Sequence, residues 1–308
     1  MSAETILVQA ATAEAVTTSA VAKKPSRRPR RTKERPNVVR IVMLALLVPL
    51  MGGPAYILLV NAFKTQQDIQ TQPFGIPFGR LTLEPLLAAI TSPEYNVVAS
   101  YGFTASIVIV VDIICIALAG PAAYVIARST NRKTRLLMLY FLAGTFIPGA
   151  AMVIPAIYVL RTLGLVNSFA GLVLYDSATT LPVSIFLMVG YISTVPKDID
   201  QAASIDGAGR LRTFWTIIFP LLRPAVVTIL ILNSIGLWND FVSPQILLGP
   251  SSEQYTVTTA IYTGISQYTT DLTKVFPNLL LAIAPVIVFF IYMQRHIISG
   301  LTVGATKG

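Results

Sequence analysis

Charge is the scarcest property of this chain. Only 12% of its 308 residues are charged, about half the share found in a soluble domain. Cysteine is nearly absent. The single Cys115 lies inside an apolar block, so no intrachain disulfide can form and cysteine usage does not indicate a redox compartment. One histidine, His296, excludes a multi-histidine metal site. There is no G-x-x-x-x-G-K-[ST] loop, so the chain cannot cradle the phosphates of ATP. H-E-x-x-H and G-x-S-x-G are also missing, which removes two common hydrolase layouts. No catalytic residue, metal or cofactor of its own is expected.

Apolar residues make up 54% of the chain, and they fall in blocks. A spanning helix needs about 20 mostly apolar residues. Six blocks reach or approach that length: Ile41–Val60, Tyr101–Ala127, Leu136–Leu160, Ser168–Thr194, Pro224–Leu248 and Val275–Met293. The expected fold class is an all-α polytopic membrane protein with six transmembrane helices, which places the chain in the cell membrane.

The formal net charge of +9 would suggest nucleic acid in a soluble protein. Its distribution indicates membrane topology instead. With the N-terminus inside, 19 of the 23 lysines and arginines fall in cytoplasmic segments and four in outer loops. That bias sets both termini cytoplasmic. Residues 1–37 carry a basic, proline-punctuated run from Lys23 to Arg35, which reads as a disordered tail attracted to anionic lipid. The Ile41–Val60 stretch is too long for a signal-peptide core. The expected organisation is therefore a tail (1–37), a six-helix membrane domain (38–296) and a short cytoplasmic C-terminal tail (297–308).

One inner loop stands out, Val195–Arg223. Pro196 ends the preceding span. Asp198 and Gln201 have capping-box spacing, and Ala202, Ala203 and Ile205 continue a short helix with a small face. Gly207 and Gly209 allow the tight backbone that ends it. Leu211, Phe214, Trp215, Ile218 and Leu222 then form one helical stripe, and Pro220 and Pro224 mark the return to the membrane. Such a helix-turn-helix suits close docking of another protein. Its pattern alone fits equally an amphipathic hairpin lying on lipid.

The loop resembles the EAA loop of ABC importer permeases through Gln201-Ala202-Ala203, Asp206-Gly207-Ala208 and Ile217-Ile218-Phe219-Pro220. Three other stretches resemble the carbohydrate branch, the smaller permease of maltose-type importers: Asn61-Ala62-Phe63-Lys64-Thr65, Trp238-Asn239-Asp240-Phe241, and Gly300-Leu301-Thr302-Val303-Gly304-Ala305-Thr306-Lys307-Gly308. The resemblance covers residues 38–308. It implies an ATP-driven importer of sugar or oligosaccharide, with an importer of another solute such as an amino acid as the alternative. The implied partners are a second permease subunit, a pair of ATPase subunits that bind ATP and Mg, and an extracytoplasmic solute-binding protein, with no nucleic acid.

The resemblance assigns Asp200, Gln201, Ala202, Ala203, Asp206, Gly207 and Pro220 to coupling with the ATPase. Gln201 stands where the family has glutamate, so an ion pair from that position is not implied here. Candidate pathway residues are Asp112, Asn233, Asn239 and Asp240. A carboxylate in mid-span suggests function by default. Protonation, or pairing with a group such as Asn233, would make Asp112 structural instead. Trp238 suits either sugar stacking or the interface belt.

Overall fold

The computed structural model describes residues 38–91, 97–249, 254–261 and 270–305. The basic tail expected at 1–37 lies outside them, as do residues 306–308. The described residues form helices: α1 (Val38–Asn61), α2 (Gln66–Thr71), α3 (Glu84–Thr91), α4 (Val97–Arg128), α5 (Arg132–Thr145), α6 (Gly149–Thr162) and α7 (Phe169–Ile192). After these come α8 (Asp198–Ile205), α9 (Arg210–Leu221), α10 (Arg223–Asn239), α11 (Val242–Leu247), α12 (Val257–Ala260) and α13 (Leu272–Ala305). The chain divides into two compact units, Met1–Gly52 and Gly53–Gly308. The second holds the packed core.

Among the described residues four helices are long and apolar enough to cross a membrane: Arg40–Asn61, Val98–Arg128, Phe169–Ile192 and Leu272–Met293. Two bent pairs, α5 with α6 and α9 with α10, raise the number to six if each is one span. The uniform helix expected over Leu136–Leu160 is therefore corrected. It is two helices meeting at 103°. Pro148 is the cause. It stands immediately before α6, lacks the N–H that would continue the ladder, and disfavours helical geometry at Ile147. The block expected over Pro224–Leu248 also divides. Asp240 is extended, with φ −69° and ψ 125°, and α11 starts two residues later.

The closest-packed pair is α4 with α7, and α10 packs against α4, α7 and α13. Two apolar clusters lie along the α4–α7 seam. One gathers Val111, Cys115, Val153, Leu172 and Leu237. The other joins Ala119, Ala123, Met188 and Ile192 to Phe214, Ile218 and Leu222 of α9. The hairpin α8–α9 is therefore rooted in the same core as the long helices.

The segment after α1 is fastened by a buried lysine. The Lys64 side chain is fully buried. Its Nζ donates to Asn61 Oδ1 at 2.9 Å, to the Gln72 carbonyl at 2.8 Å and to the Pro73 carbonyl at 3.4 Å. Burial pushes its pKa down, and the nearby Asp68 carboxylate partly raises it again. Three acceptors compensate the ammonium's lost water, which gives the Asn61–Thr65 motif a structural role.

Candidate functional site: the α8–α9 hairpin and its anchors

Val195-Pro196 follows the last turn of α7, and α8 begins at Asp198. The expected capping box is not made. The cap position is Lys197, with no side-chain cap bond, and Asp198 and Asp200 sit in the first turn. There their negative charge complements the N-terminal dipole. The end of α8 follows the expected chemistry. Gly207 has φ +78°. Its N–H bonds the Ser204 carbonyl, and the Ala208 N–H bonds the Ala203 carbonyl at 2.9 Å. This is the Schellman pattern, which favours glycine at the left-handed position. Gly209 is ordinary extended backbone, with φ −68° and ψ 156°, so only one of the two glycines supplies a left-handed turn.

Consecutive residues on α8 point about 100° apart, and this divides the expected coupling residues. Gln201, Ala202, Asp206 and Gly207 are exposed. Ala203 is buried against the protein, so the small face predicted from Ala202 and Ala203 is two different faces. Pro220 is exposed at the far end of the hairpin. Ile205 and Leu211 flank the Gly207 turn at 86% and 71% exposure. The tip of the hairpin therefore presents an uncovered apolar pair beside Ala202.

Asp200 faces the opposite way. Its Oδ1 accepts the Tyr124 hydroxyl at 2.5 Å, and its Oδ2 lies 2.9 Å from Arg128 Nη2. Arg128 also donates through Nη1 to the Ile192 and Val195 carbonyls, at 3.3 and 3.0 Å. One guanidinium thus ties the end of α4 to the end of α7 and to the first turn of α8. A carboxylate held this way is not available to replace the family glutamate at position 201.

The second arm departs from a regular α-helix. Thr213–Ile218 is π-helical, and its wider turn resets which side chains face inward. Of the expected stripe, Phe214, Ile218 and Leu222 are buried, while Leu211 and Trp215 are exposed. The Phe214 ring lies 5.4 Å from that of Tyr124 and 4.8 Å from that of Trp215. Gly120 on α4 faces it so closely that a β-carbon there would be 2.8 Å from Phe214 Cζ. Phe214 is thus a knob seated where α4 has no side chain.

The candidate pathway residues fall into two places. Asp112 is buried on α4, and its Oδ2 accepts the Ser234 hydroxyl at 2.9 Å. Asn233, the partner considered from sequence, also interacts with Asp112 and donates to Ser184 on α7 at 3.3 Å. Neighbouring residues of α10 thus reach both α4 and α7. Asp112 and Ser234 border an apolar cavity of about 770 Å3. Asn233 and Asp240 border another of about 380 Å3, together with Asp176. Asn239 bonds its own helix at Ile235 and is exposed. Trp238 stacks on Tyr101 at 6.2 Å and donates to the Ala282 carbonyl, so its indole serves packing among α4, α10 and α13.

Tyr124, Arg128 and Gly120 are not among the site residues expected from the sequence. Tyr124 and Arg128 stand one helical turn apart at the end of an apolar block, a spacing that places them on one face. Nothing in the sequence pairs them with Asp200.

Comparison with known proteins gives this arrangement its family. Residues 116–302 match the model of the binding-protein-dependent transport system inner membrane component. The chain belongs to that family. This permease is 32% identical over 268 residues to the multiple sugar-binding transport system permease protein MsmG of Streptococcus mutans, covering 86% of this chain and 93% of that protein. It is 31% identical over 273 residues to the melibiose/raffinose/stachyose import permease protein MelC of Bacillus subtilis, covering 87% and 96%. Its fold matches a chain from the crystal structure of a bacterial ABC transporter involved in import of the acidic polysaccharide alginate. The TM-score is 0.72 over 84% of this chain and 95% of that one, at 19% identity. The permease is a multi-pass cell-membrane protein and one component of a larger transport system.

Proposed function

We propose that this permease is one of two membrane-spanning subunits of an ATP-driven importer for a sugar or oligosaccharide. It crosses the membrane six times, each bent pair counting as one span, with both termini and the α8–α9 hairpin in the cytoplasm. A pair of ATPase subunits binds ATP and Mg and docks on the hairpin tip, against Ala202, Ile205, Gly207 and Leu211. A solute-binding protein docks outside, on segments 61–100 and 249–274. Closure of the ATPases moves the hairpin. Phe214 and the Arg128–Asp200 pair pass that movement to α4 and α7 as a rigid body. Transport results from switching access, without covalent chemistry.

The observation that carries the mechanism is the two-sidedness of the hairpin: its outer tip exposes Ile205 and Leu211 beside Gly207, while its inner side is keyed to α4. The sugar reading is supported by the transport systems to which the relatives belong. Contact at the tip is by shape, because Gln201 carries no charge. A Gly207→Trp variant tests this. It places a bulky side chain at a left-handed position, and the inserted complex is expected to hydrolyse ATP without net uptake of labelled oligosaccharide. Normal uptake in that variant would sink the coupling model. Uptake of a labelled amino acid but no sugar by the native complex would sink the sugar reading.

A further inference from the structure

Between α7 and α10 lies a buried carboxylate that the protein leaves unsatisfied. Asp176 is 3% exposed, yet its carboxylate accepts no side-chain or backbone hydrogen bond from the described residues. Asp176 borders the cavity of about 380 Å3, and Asp240, Asn233, Thr179 and Thr180 share its lining. That volume is in the range of small-molecule sites, about 300–1,000 Å3.

The hydrogen-bonding groups around this cavity are unbalanced. Thr179 and Thr180 donate their hydroxyl protons to backbone carbonyls of their own helix, Thr180 to Asp176 O at 2.6 Å. Asn233 donates its amide to Ser184. Asp240 receives one backbone N–H, from Ser243 at 3.3 Å. The side-chain donors are thus engaged, while two carboxyl groups open onto the space. No lysine, arginine or histidine lines it. No group of three or more His, Cys, Asp or Glu side chains converges anywhere among the described residues, so the pair is not a metal cage. The complementary ligand brings several donors and no negative charge. Sugar hydroxyls meet that description, and a carboxylate accepts two of them side by side.

We propose that this groove is a hydroxyl-reading subsite for the transported sugar, and that Asp176 and Asp240 select neutral or amino-bearing sugars against those carrying uronate or sulfonate groups. The inference rests on the sugar-importer reading above and adds a substrate class to it. An anionic cargo here would meet the Asp240 carboxylate in a poorly solvated groove, an arrangement that discriminates by repulsion. A hydroxyl-poor analogue would leave the buried carboxylates unpaired, which also rejects strongly.

The test uses the whole importer, purified with its partner subunits in proteoliposomes and energised with ATP and its binding protein. Asp176→Asn is expected to lower uptake of a labelled neutral disaccharide at least tenfold, with subunit co-purification and basal ATPase unchanged. A second measurement omits the binding protein, so that its own selectivity plays no part. The labelled neutral disaccharide is competed from the purified complex by its amino and uronate counterparts. The uronate is expected to compete at least tenfold more weakly than the amino form, and the Asp176→Asn/Asp240→Asn variant to reduce that difference at least fivefold. If Asp176→Asn does not assemble, Asp240→Asn at its half-buried position carries the same two measurements. Unchanged uptake and unchanged competition would overturn the subsite while leaving the sugar reading intact. No uptake of any sugar by the native importer would overturn the importer reading instead.

Discussion

Replacing Asp200 by alanine removes both contacts that hold the first turn of α8 against α4: the hydroxyl of Tyr124 and the guanidinium of Arg128. Hydrogen bonds to a charged group contribute about 1.5–3 kcal/mol each. Removing one partner of a buried ion pair costs about 3–5 kcal/mol in full burial. Here the Arg128 and Asp200 side chains retain 14% and 19% exposure, and Arg128 keeps its two carbonyl acceptors. A loss of about 2–4 kcal/mol in the docking of α8 follows. At about 1.4 kcal/mol per tenfold change, amides of 198–205 should exchange with deuterium about 30- to 700-fold faster, because local opening controls exchange there. Amides in the α4–α7 seam should change little. Asp200→Asn keeps an acceptor for Tyr124 and should show the smaller part of the effect. The cycle of Asp200→Ala with Arg128→Met isolates the pair, and the double variant should lose less than the sum of the singles. Exchange across 198–205 within about threefold of the native rate would refute the anchoring argument.

Two further perturbations probe other fastenings. Gly120→Ala places a β-carbon 2.8 Å from Phe214 Cζ, an overpacking expected to cost about 1–3 kcal/mol. The thermal unfolding temperature of the purified complex should fall, and a Phe214→Leu change in the same chain should restore part of it; an unshifted single variant would show that Phe214 is not seated as described. Lys64→Met leaves the Asn61 Oδ1 and Gln72 carbonyl without their donor, at about 1–3 kcal/mol per buried unpaired group. Limited proteolysis between residues 65 and 80 should accelerate in that variant, and an unchanged cleavage rate would remove the clamp role.

The site was legible in part. Gly207 could be read because a left-handed helix stop needs a residue without a β-carbon, and that requirement is local. The boundary at Pro196 and the bend at Pro148 follow the same logic, although a continuous apolar block concealed the bend. The expected capping box at Asp198 failed because Asp200 is drawn inward by Arg128, a residue 72 positions away. The predicted stripe on α9 failed at Leu211 and Trp215 because a π-helical stretch changed the helical period.

The sequence by itself determined the class of the molecule. Long apolar blocks must cross a bilayer, because backbone groups in lipid are satisfied within a helix. It also located the α8–α9 hairpin and its glycine turn, since caps and breaks are set by a few adjacent residues. Only the tertiary structure decided which side chains share a space. It placed Asp176 with Asp240, joined Asp112 to Ser234, turned Ala203 away from Ala202, and set Phe214 against Gly120. These outcomes depend on the rotation of packed helices about their axes. Apolar helices that are hydrophobic on all sides carry little periodic signal to fix that rotation. It is set when ridges, small residues and a few polar pairs find one another across the packed interface.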